Sequence, residues 1–178
     1  VWIRGREWGL QGLGGQGGLI HGTGLDGDGW PDLIVHHEGG NDVFGAEASR
    51  VTWVLRNLEG AGFEDVTESS GFRIRRIDEG LSKGRAGQMI ASADVDNDGD
   101  KDLLVNGIQS GTRLFLNDGS GGFQLSEKSG LDSAGTTSSL ALADIDGDGD
   151  LDLYVAHYID RMYLADPTTR FEYSRRGE

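Results

Sequence analysis

Three acidic stretches of this chain place aspartates at alternate positions. The fullest, at residues 143–153, holds five carboxylates that repel one another strongly unless a cation lies among them. Counted from Asp144 as position 1, aspartates at positions 1, 3 and 5 can turn their oxygens to one centre. Gly149 at position 6 lets the backbone fold back tightly, position 7 can offer its carbonyl, and position 9 would close the shell. The stretch therefore predicts a metal site formed by Asp144, Asp146, Asp148, Asp150 and Asp152.

The same pattern occurs twice more along the chain. Residues 94–103 repeat it position for position, and residues 24–33 repeat it except that Gly24 replaces the first aspartate. A single stretch of this kind could be no more than a polar turn. Three copies with one spacing favour a shared role, and the polar-turn interpretation keeps more weight for the first copy than for the other two.

The ligand chemistry of these loops indicates calcium. All candidate ligands are oxygens and the chain has no cysteine, so a hard cation is expected, with calcium ahead of magnesium because many protein oxygens converge in a flexible loop. An EF-hand begins with the same D-x-D-x-D-G but needs a glutamate at position 12, where this chain has Val35, Val105 and Val155. Short apolar runs follow each loop, so we predict that each loop joins two strands.

The composition is typical of an all-β protein with a local excess of negative charge. The 178 residues include 31 glycines without a collagen period, as expected for short strands joined by tight turns. The net charge is −14, and 13 of the 30 acidic residues lie in the three loops, so the acidity belongs largely to the predicted cation sites. It disfavours nucleic acid and anionic membranes as partners. No apolar stretch is long enough to span a membrane, and membrane insertion is not expected.

From residue 19 onwards the sequence repeats one unit three times: a strand into the loop, a strand out of it, a third strand, a glycine-rich turn and a fourth strand. Repeated units of four antiparallel strands predict the blades of a β-propeller. Because closed propellers have about four to eight blades, three blades imply part of a larger ring. The predicted divisions are an entering strand and loop at 1–18, blade 1 at 19–72, an inter-blade insertion at 73–87, blade 2 at 88–131 and blade 3 at 132–178. The phenylalanine that follows each turn, Phe63, Phe123 or Phe171, is expected to pack between blades.

These motifs resemble FG-GAP/VCBS repeats, the calcium-loop blades also found in the integrin alpha-chain propeller. The resemblance is carried by the three acidic loops, each followed by a strand, and by the turn L-F-L-N-D-G-S-G-G-F at 114–123. The segment F-E-D-V-T-E-S-S-G-F at 63–72 further resembles the cartilage acidic protein and ASPIC/UnbV-like group. The family resemblance implies a seven- or eight-bladed propeller, secreted or displayed at a cell surface, with calcium bound between the first and second strands of its blades.

The ligand positions of the family can be carried over onto this sequence residue by residue. In the second loop they are Asp94, Asp96, Asp98, Asp100 through its carbonyl, and Asp102. In the third loop they are Asp144, Asp146, Asp148, Asp150 through its carbonyl, and Asp152. In the first loop Asp26, Asp28, the Trp30 carbonyl and Asp32 match, while Gly24 departs from the pattern. The resemblance thus implies two calcium sites and a weaker third.

The sequence favours a binding module over an enzyme. It contains no nucleophile elbow, phosphate loop or dinucleotide fingerprint, and calcium held by a complete protein shell serves structure. We expect an extracellular module for protein interaction, adhesion or scaffold assembly, with another protein or other chains of an assembly as partner. One alternative is a carbohydrate-binding lectin that uses aromatic faces such as Trp30, Trp53 or Tyr158. Another is a non-catalytic part of a secreted hydrolase or lyase.

The expected location follows from calcium affinity. Calcium loops of extracellular modules bind weakly and are useful only where calcium is about millimolar, which favours the cell exterior, or the periplasm of a bacterium. The sequence begins with Val1 and shows no signal peptide. We therefore expect a mature chain or an excerpt of a longer one.

Overall fold

The computed structural model describes residues 18–37, 52–72, 89–107, 111–131 and 136–159, and within these ranges the chain forms ten strands and no helix. The strands are β1 (Gly18–Thr23), β2 (Asp32–His37), β3 (Thr52–Asn57), β4 (Phe63–Asp65), β5 (Ile90–Ala93), β6 (Asp102–Gly107), β7 (Gly111–Asn117), β8 (Phe123–Leu125), β9 (Thr136–Ala143) and β10 (Asp152–Ile159).

These strands form three antiparallel sheets in which each strand pairs with the next along the chain. The first sheet has the order β1-β2-β3-β4, the second β5-β6-β7-β8, and the third consists of β9 and β10. The predicted all-β class and the four-stranded antiparallel unit are therefore confirmed. Four predicted features lie outside the described residues: the entering segment up to residue 17, the insertion at 73–87, and the last two strands of the third unit, at 161–165 and 171–174.

The central strands explain why the short apolar runs form sheets. In β2 and β6 consecutive residues such as Ile34 and Val35, or Leu103 and Leu104, are buried, because neighbouring strands cover their edges and packed side chains cover both faces. The outermost strands β4 and β8 have only three residues each. Short edge strands offer little unpaired backbone to other chains.

The core of the described region lies between the first and second sheets. It joins Leu25, Ile34 and Val54 of the first unit to side chains of β5, β6, β7 and β8. Phe72 is fully buried there, and its ring meets Phe115 and Phe123 edge-on at centroid distances of 4.9 and 5.6 Å. Such edge-to-face pairs add to the gain from apolar burial.

The predicted role of the turn phenylalanines can be compared with this core. Phe123 packs between the two units through its contact with Phe72, as predicted. Phe63 is only half-buried, and Phe171 lies outside the described residues. A buried position between units is therefore observed for the phenylalanine of the second unit.

The segment at 66–72, which we call the strap, carries the chain from β4 onto the second sheet. The Ser70 N–H donates to the Val66 carbonyl at 2.8 Å, and the Ser70 carbonyl accepts from the Phe123 N–H at 2.6 Å. Gly71 between them has φ +70°, and a Cβ at this position would lie 2.7 Å from the Phe123 carbonyl oxygen. The close approach of the two backbones therefore requires glycine at position 71.

Polar side chains join neighbouring sheets away from the strap. His21 Nε2 lies 3.0 Å from Ser92 Oγ, and Ser92 Oγ donates to Thr23 Oγ1 at 3.1 Å. Partial burial lowers the pKa of His21, which favours the neutral ring in this contact. Asn106 Nδ2 in β6 donates to the Thr137 carbonyl in β9 at 2.9 Å, so the third sheet is joined to the second.

We predict that Gly71→Ala is much more destabilising than Gly130→Ala. Both glycines have φ near +70°, but a Cβ on Gly130 would meet nothing within 4 Å. Alanine at 130 is expected to cost about 1 kcal/mol through backbone strain alone, whereas alanine at 71 adds a steric clash and is expected to cost about 3 kcal/mol. Urea unfolding measures the free energy of unfolding of both variants. Equal losses of stability would contradict the close approach of the strap to Phe123.

Candidate metal centre

Each acidic loop joins the first and second strands of its sheet, as predicted from the sequence. In all three loops the backbone adopts left-handed conformations at positions 4 and 6, where the residues are Gly27 and Gly29, Asn97 and Gly99, and Gly147 and Gly149, with φ between 62° and 99°. Glycine and asparagine are the residue types that adopt this conformation most readily. From the sequence, a left-handed backbone was predicted at position 6 alone. The occurrence of only glycine or asparagine at position 4 of the three loops could have indicated the second one.

The position 9 aspartates, Asp32, Asp102 and Asp152, begin the strand that leaves each loop. In all three, one carboxylate oxygen accepts a hydrogen bond from the backbone N–H of loop position 2, at 2.8 to 2.9 Å. In Asp32 and Asp102 the other oxygen accepts from the backbone N–H of the last residue of the third strand, at 2.8 Å. We call this pair of bonds the position 9 brace.

The brace holds a carboxylate inside the protein. Asp32 and Asp102 are 1% and 0% exposed, and a buried carboxylate is costly unless hydrogen bonds replace its water. Burial raises the pKa of Asp32, and the two backbone N–H donors act in the opposite direction. The position 9 aspartate therefore fixes the loop to its sheet before any cation is considered.

The third strand contributes a residue that sequence reasoning missed. Asn57 and Asn117 end β3 and β7 and are buried. In each, Nδ2 donates to the carbonyl of loop position 8, at 2.9 and 3.0 Å, and Oδ1 accepts from a backbone N–H of the following turn, at 2.8 and 3.2 Å. The sequence could have indicated this role, because an asparagine begins the glycine-rich turn in both units. The aligned residue of the third unit is Ala165.

The second loop brings three of its five predicted ligand residues together. Oxygens of Asp94, Asp96 and Asp102 lie within 4.8 Å of one another. Asp94 also accepts backbone hydrogen bonds from positions 5 and 6 of its own loop, at 3.1 and 3.0 Å, which fixes its direction. Asp98 lies outside this group, and Asp100 was predicted to contribute only its carbonyl.

The third loop also brings three carboxylates together, at different positions. Oxygens of Asp144, Asp146 and Asp148 lie within 4.8 Å of one another, and Asp144 accepts from the N–H groups of positions 4 and 6 at 2.7 and 3.1 Å. Asp152 is exposed and stands outside the group. The prediction for Asp150 concerns its backbone carbonyl, and its side chain is directed to the second loop, as described below.

The first loop does not form such a group among the residues that the structure describes. Asp26 and Asp28 accept backbone hydrogen bonds within the loop, at 3.2 and 2.7 Å, and Asp32 is engaged in its brace. The Trp30 carbonyl oxygen lies 3.7 Å from where a Cβ of Gly24 would be. The predicted position 7 carbonyl therefore faces the place of the missing aspartate.

Desolvation and neighbouring charges act on two carboxylates of the second loop. The pKa of Asp96 is raised by partial desolvation and then by the neighbouring charges of Asp102 and Asp98. The pKa of Asp100 is raised for the same reasons, with Asp98 and Asp94 among the charged neighbours. Mutual repulsion among carboxylates is relieved by a bound cation. Oxygen donors without nitrogen or sulfur suit a hard cation such as calcium.

A cleft of about 260 Å³ opens beside the first loop, between the first and second sheets. Its apolar lining comes from Leu25, Val54 and Val66, and its charged lining consists of three carboxylates and one guanidinium, those of Asp26, Asp32, Asp118 and Arg56. Hydrogen bonds from the Ser120 hydroxyl and backbone lower the pKa of Asp118, so this side chain keeps its charge. The cleft thus offers an acidic, partly apolar surface.

The aromatic side chains proposed for sugar stacking differ in accessibility. Trp30 is 43% exposed, and its ring lies over Gly60 of the turn between β3 and β4. Trp53 is half-buried within β3. The side chain of Tyr158 lies outside the part of the chain that the structure describes.

A family model for the FG-GAP-like repeat matches the sequence at residues 24–105 and again at 94–155. Both matches begin at position 1 of an acidic loop, and together they cover more than half of the chain. The chain belongs to the FG-GAP-like repeat family. FG-GAP-like repeats are consistent with a propeller module for protein interaction, often bind calcium and occur in extracellular proteins.

No curated protein matches the chain. The described residues include no helix with the length and apolarity needed to cross a membrane.

We predict that Asp102→Asn destabilises the protein even in the presence of a chelator. Asparagine would turn an N–H₂ group towards one of two backbone N–H donors, and an unsatisfied buried donor costs about 2 kcal/mol. Asp98→Asn is the matched control, because Asp98 is exposed and an amide oxygen can still accept the bond that Asp98 accepts from Asp100. Urea unfolding in excess chelator compares them. Equal stability of the two variants would show that position 9 matters only as a metal ligand.

We also predict that Gly24→Asp converts the first loop into a full FG-GAP-like calcium loop. The variant supplies the missing position 1 carboxylate at a place that faces the Trp30 carbonyl. Calcium affinity of this loop is expected to rise about tenfold or more, since each added carboxylate strengthens a calcium site. Calorimetric titration should then show one additional strong site per chain. Gly24→Asn adds a similar side chain without the charge, and an equal gain with asparagine would contradict the prediction.

Proposed function

We propose that this FG-GAP-like chain is an extracellular, calcium-dependent propeller module that binds a protein partner or other chains of an assembly and is not an enzyme. The observation that carries the proposal is the convergence of three carboxylates within 4.8 Å in each of two loops. In the second loop the brace and the third-strand asparagine also hold these strands in register. Such groups are typical of calcium sites whose remaining ligands are backbone carbonyls and water.

Calcium would act on the fold through the loops. It would neutralise the repulsion that, after desolvation, raises the pKa of Asp96 and Asp100. It would also stiffen the turns that connect the first two strands of the second and third sheets. Asp94, Asp96 and Asp102 would hold the ion in the second loop, and Asp144, Asp146 and Asp148 would hold it in the third. The first loop, with Asp26, Asp28, Asp32 and the Trp30 carbonyl, would form the weaker third site.

The partner surface that we propose lies beside these loops. The cleft next to the first loop combines apolar side chains with three carboxylates and the guanidinium of Arg56. Its charge is therefore negative on balance, which suits a protein surface carrying basic residues. An extracellular or periplasmic location is proposed because weak calcium loops fill only where calcium is about millimolar. Calcium would then maintain the module in its binding-competent form.

We also propose a subgroup of the family and a number of blades for this chain. The segment 63–72 resembles the cartilage acidic protein and ASPIC/UnbV-like group, and its last residues, Gly71 and Phe72, form the joint between sheets. The resemblance implies that this joint belongs to a ring of seven or eight blades. A carbohydrate-binding lectin is the second candidate function, favoured by the exposed face of Trp30, and a glycan array distinguishes it from protein binding.

We predict that calcium raises the melting temperature of the chain and that magnesium does so much less. A site filled at ten times its dissociation constant adds about 1.4 kcal/mol, so two sites add about 3 kcal/mol and about 5 to 10 °C. Melting in calcium, magnesium or excess chelator measures this effect. The matched control is Asp96→Asn combined with Asp146→Asn, which should lose most of the calcium response. An unchanged melting temperature in chelator would contradict the proposed function.

A further inference from the structure

The second and third acidic loops touch each other through one side-chain pair. Asn97 Nδ2 donates a hydrogen bond to Asp150 Oδ1 at 2.7 Å, across 53 positions of sequence. Asn97 occupies position 4 of the second loop, between the carboxylates of Asp96 and Asp98. Asp150 occupies position 7 of the third loop, where the backbone carbonyl is the predicted ligand. The pair therefore connects the second acidic loop directly to the third.

The turn itself does not require an asparagine at position 4 of the second loop. All three loops need a left-handed backbone there, with φ of 72° at Gly27, 62° at Asn97 and 77° at Gly147. Glycine meets this need with the least strain, and the first and third loops use it. The second loop instead carries a side chain, and the hydrogen bond of that side chain to Asp150 is the interaction that distinguishes it.

We propose that Asn97 couples the two candidate calcium sites, so that an ion in either loop raises the affinity of the other. This inference rests on the proposed calcium-binding function. Filling the second loop holds Asp96 to the ion, which restricts the adjoining Asn97. The amide of Asn97 then holds the side chain of Asp150 and restricts the backbone that offers the position 7 carbonyl to the third loop. Coupling between binding sites is reciprocal, so filling the third loop supports the second equally.

The repeat supplies an uncoupled pair for comparison. The residue of the second loop equivalent to Asp150 is Asp100, and the position 4 residue of the preceding loop is Gly27. Glycine has no side chain to donate, so the first and second loops lack this connection. Coupling is therefore expected between the second and third sites and not between the first and second.

The experiment is a double-mutant cycle on the full chain with calcium as the titrant. Asp146→Asn with Asp148→Asn disables the third loop, and isothermal titration calorimetry then gives the affinity of the second loop with and without its neighbour. We expect the second loop to bind about threefold more weakly when the third is disabled, as for an exposed charged hydrogen bond. In the Asn97→Gly background the same disabling mutations should leave the affinity of the second loop unchanged, because glycine retains the turn and removes the bridge.

Two further variants distinguish the effect of the Asn97–Asp150 hydrogen bond from effects within a single loop. Asp150→Ala keeps the backbone carbonyl and should abolish the coupling as Asn97→Gly does, whereas Asp100→Ala should leave the threefold ratio intact. The coupling proposal is overturned if the affinity of the second loop does not depend on the third, or if Asn97→Gly preserves the ratio. Loss of coupling with calcium still bound at both loops leaves the proposed function standing. Absence of calcium binding at both loops overturns the proposed function and this inference together.

Discussion

The hydrogen bonds of one buried carboxylate in each of the first two sheets support the rest of the structure. In the first two sheets the position 9 aspartate closes the acidic loop through the N–H of position 2 and ties it to the third strand through a second N–H. Both ends of the loop are thereby fixed to the sheet. The remaining aspartates, held only by short-range turns, are free to face one another. Their repulsion follows directly from the brace, and that repulsion makes a cation favourable.

The same carboxylate connects the candidate sites to the joint between sheets. The brace of the second sheet ends on Asn117, whose Nδ2 also donates to the Leu25 carbonyl of the first loop at 2.8 Å. Leu25 belongs to the core that Phe72 completes. A change in one loop therefore reaches the packing between sheets through a short chain of buried contacts. This arrangement explains how calcium in the loops could stabilise the surfaces that a partner would bind.

Sequence alone could predict the repeat, the strands and the three loops, because alternation of aspartates and the apolar runs after them are local patterns. It could not predict the brace. Asp102 was interpreted as a ligand, yet its burial and its bond to Asn117 depend on a strand 15 residues away, which no local period reveals. Gly71 and Gly130 likewise look equivalent in sequence and in φ. Only the approach of Phe123 makes the first of them indispensable.

Equilibrium dialysis against calcium, with magnesium as competitor, tests the central claim that the acidic loops form calcium sites. We expect two calcium ions to bind per chain at millimolar calcium and a third only at higher concentration. Magnesium should displace little of the bound calcium. A chain that binds no calcium, or that binds magnesium equally well, would contradict it.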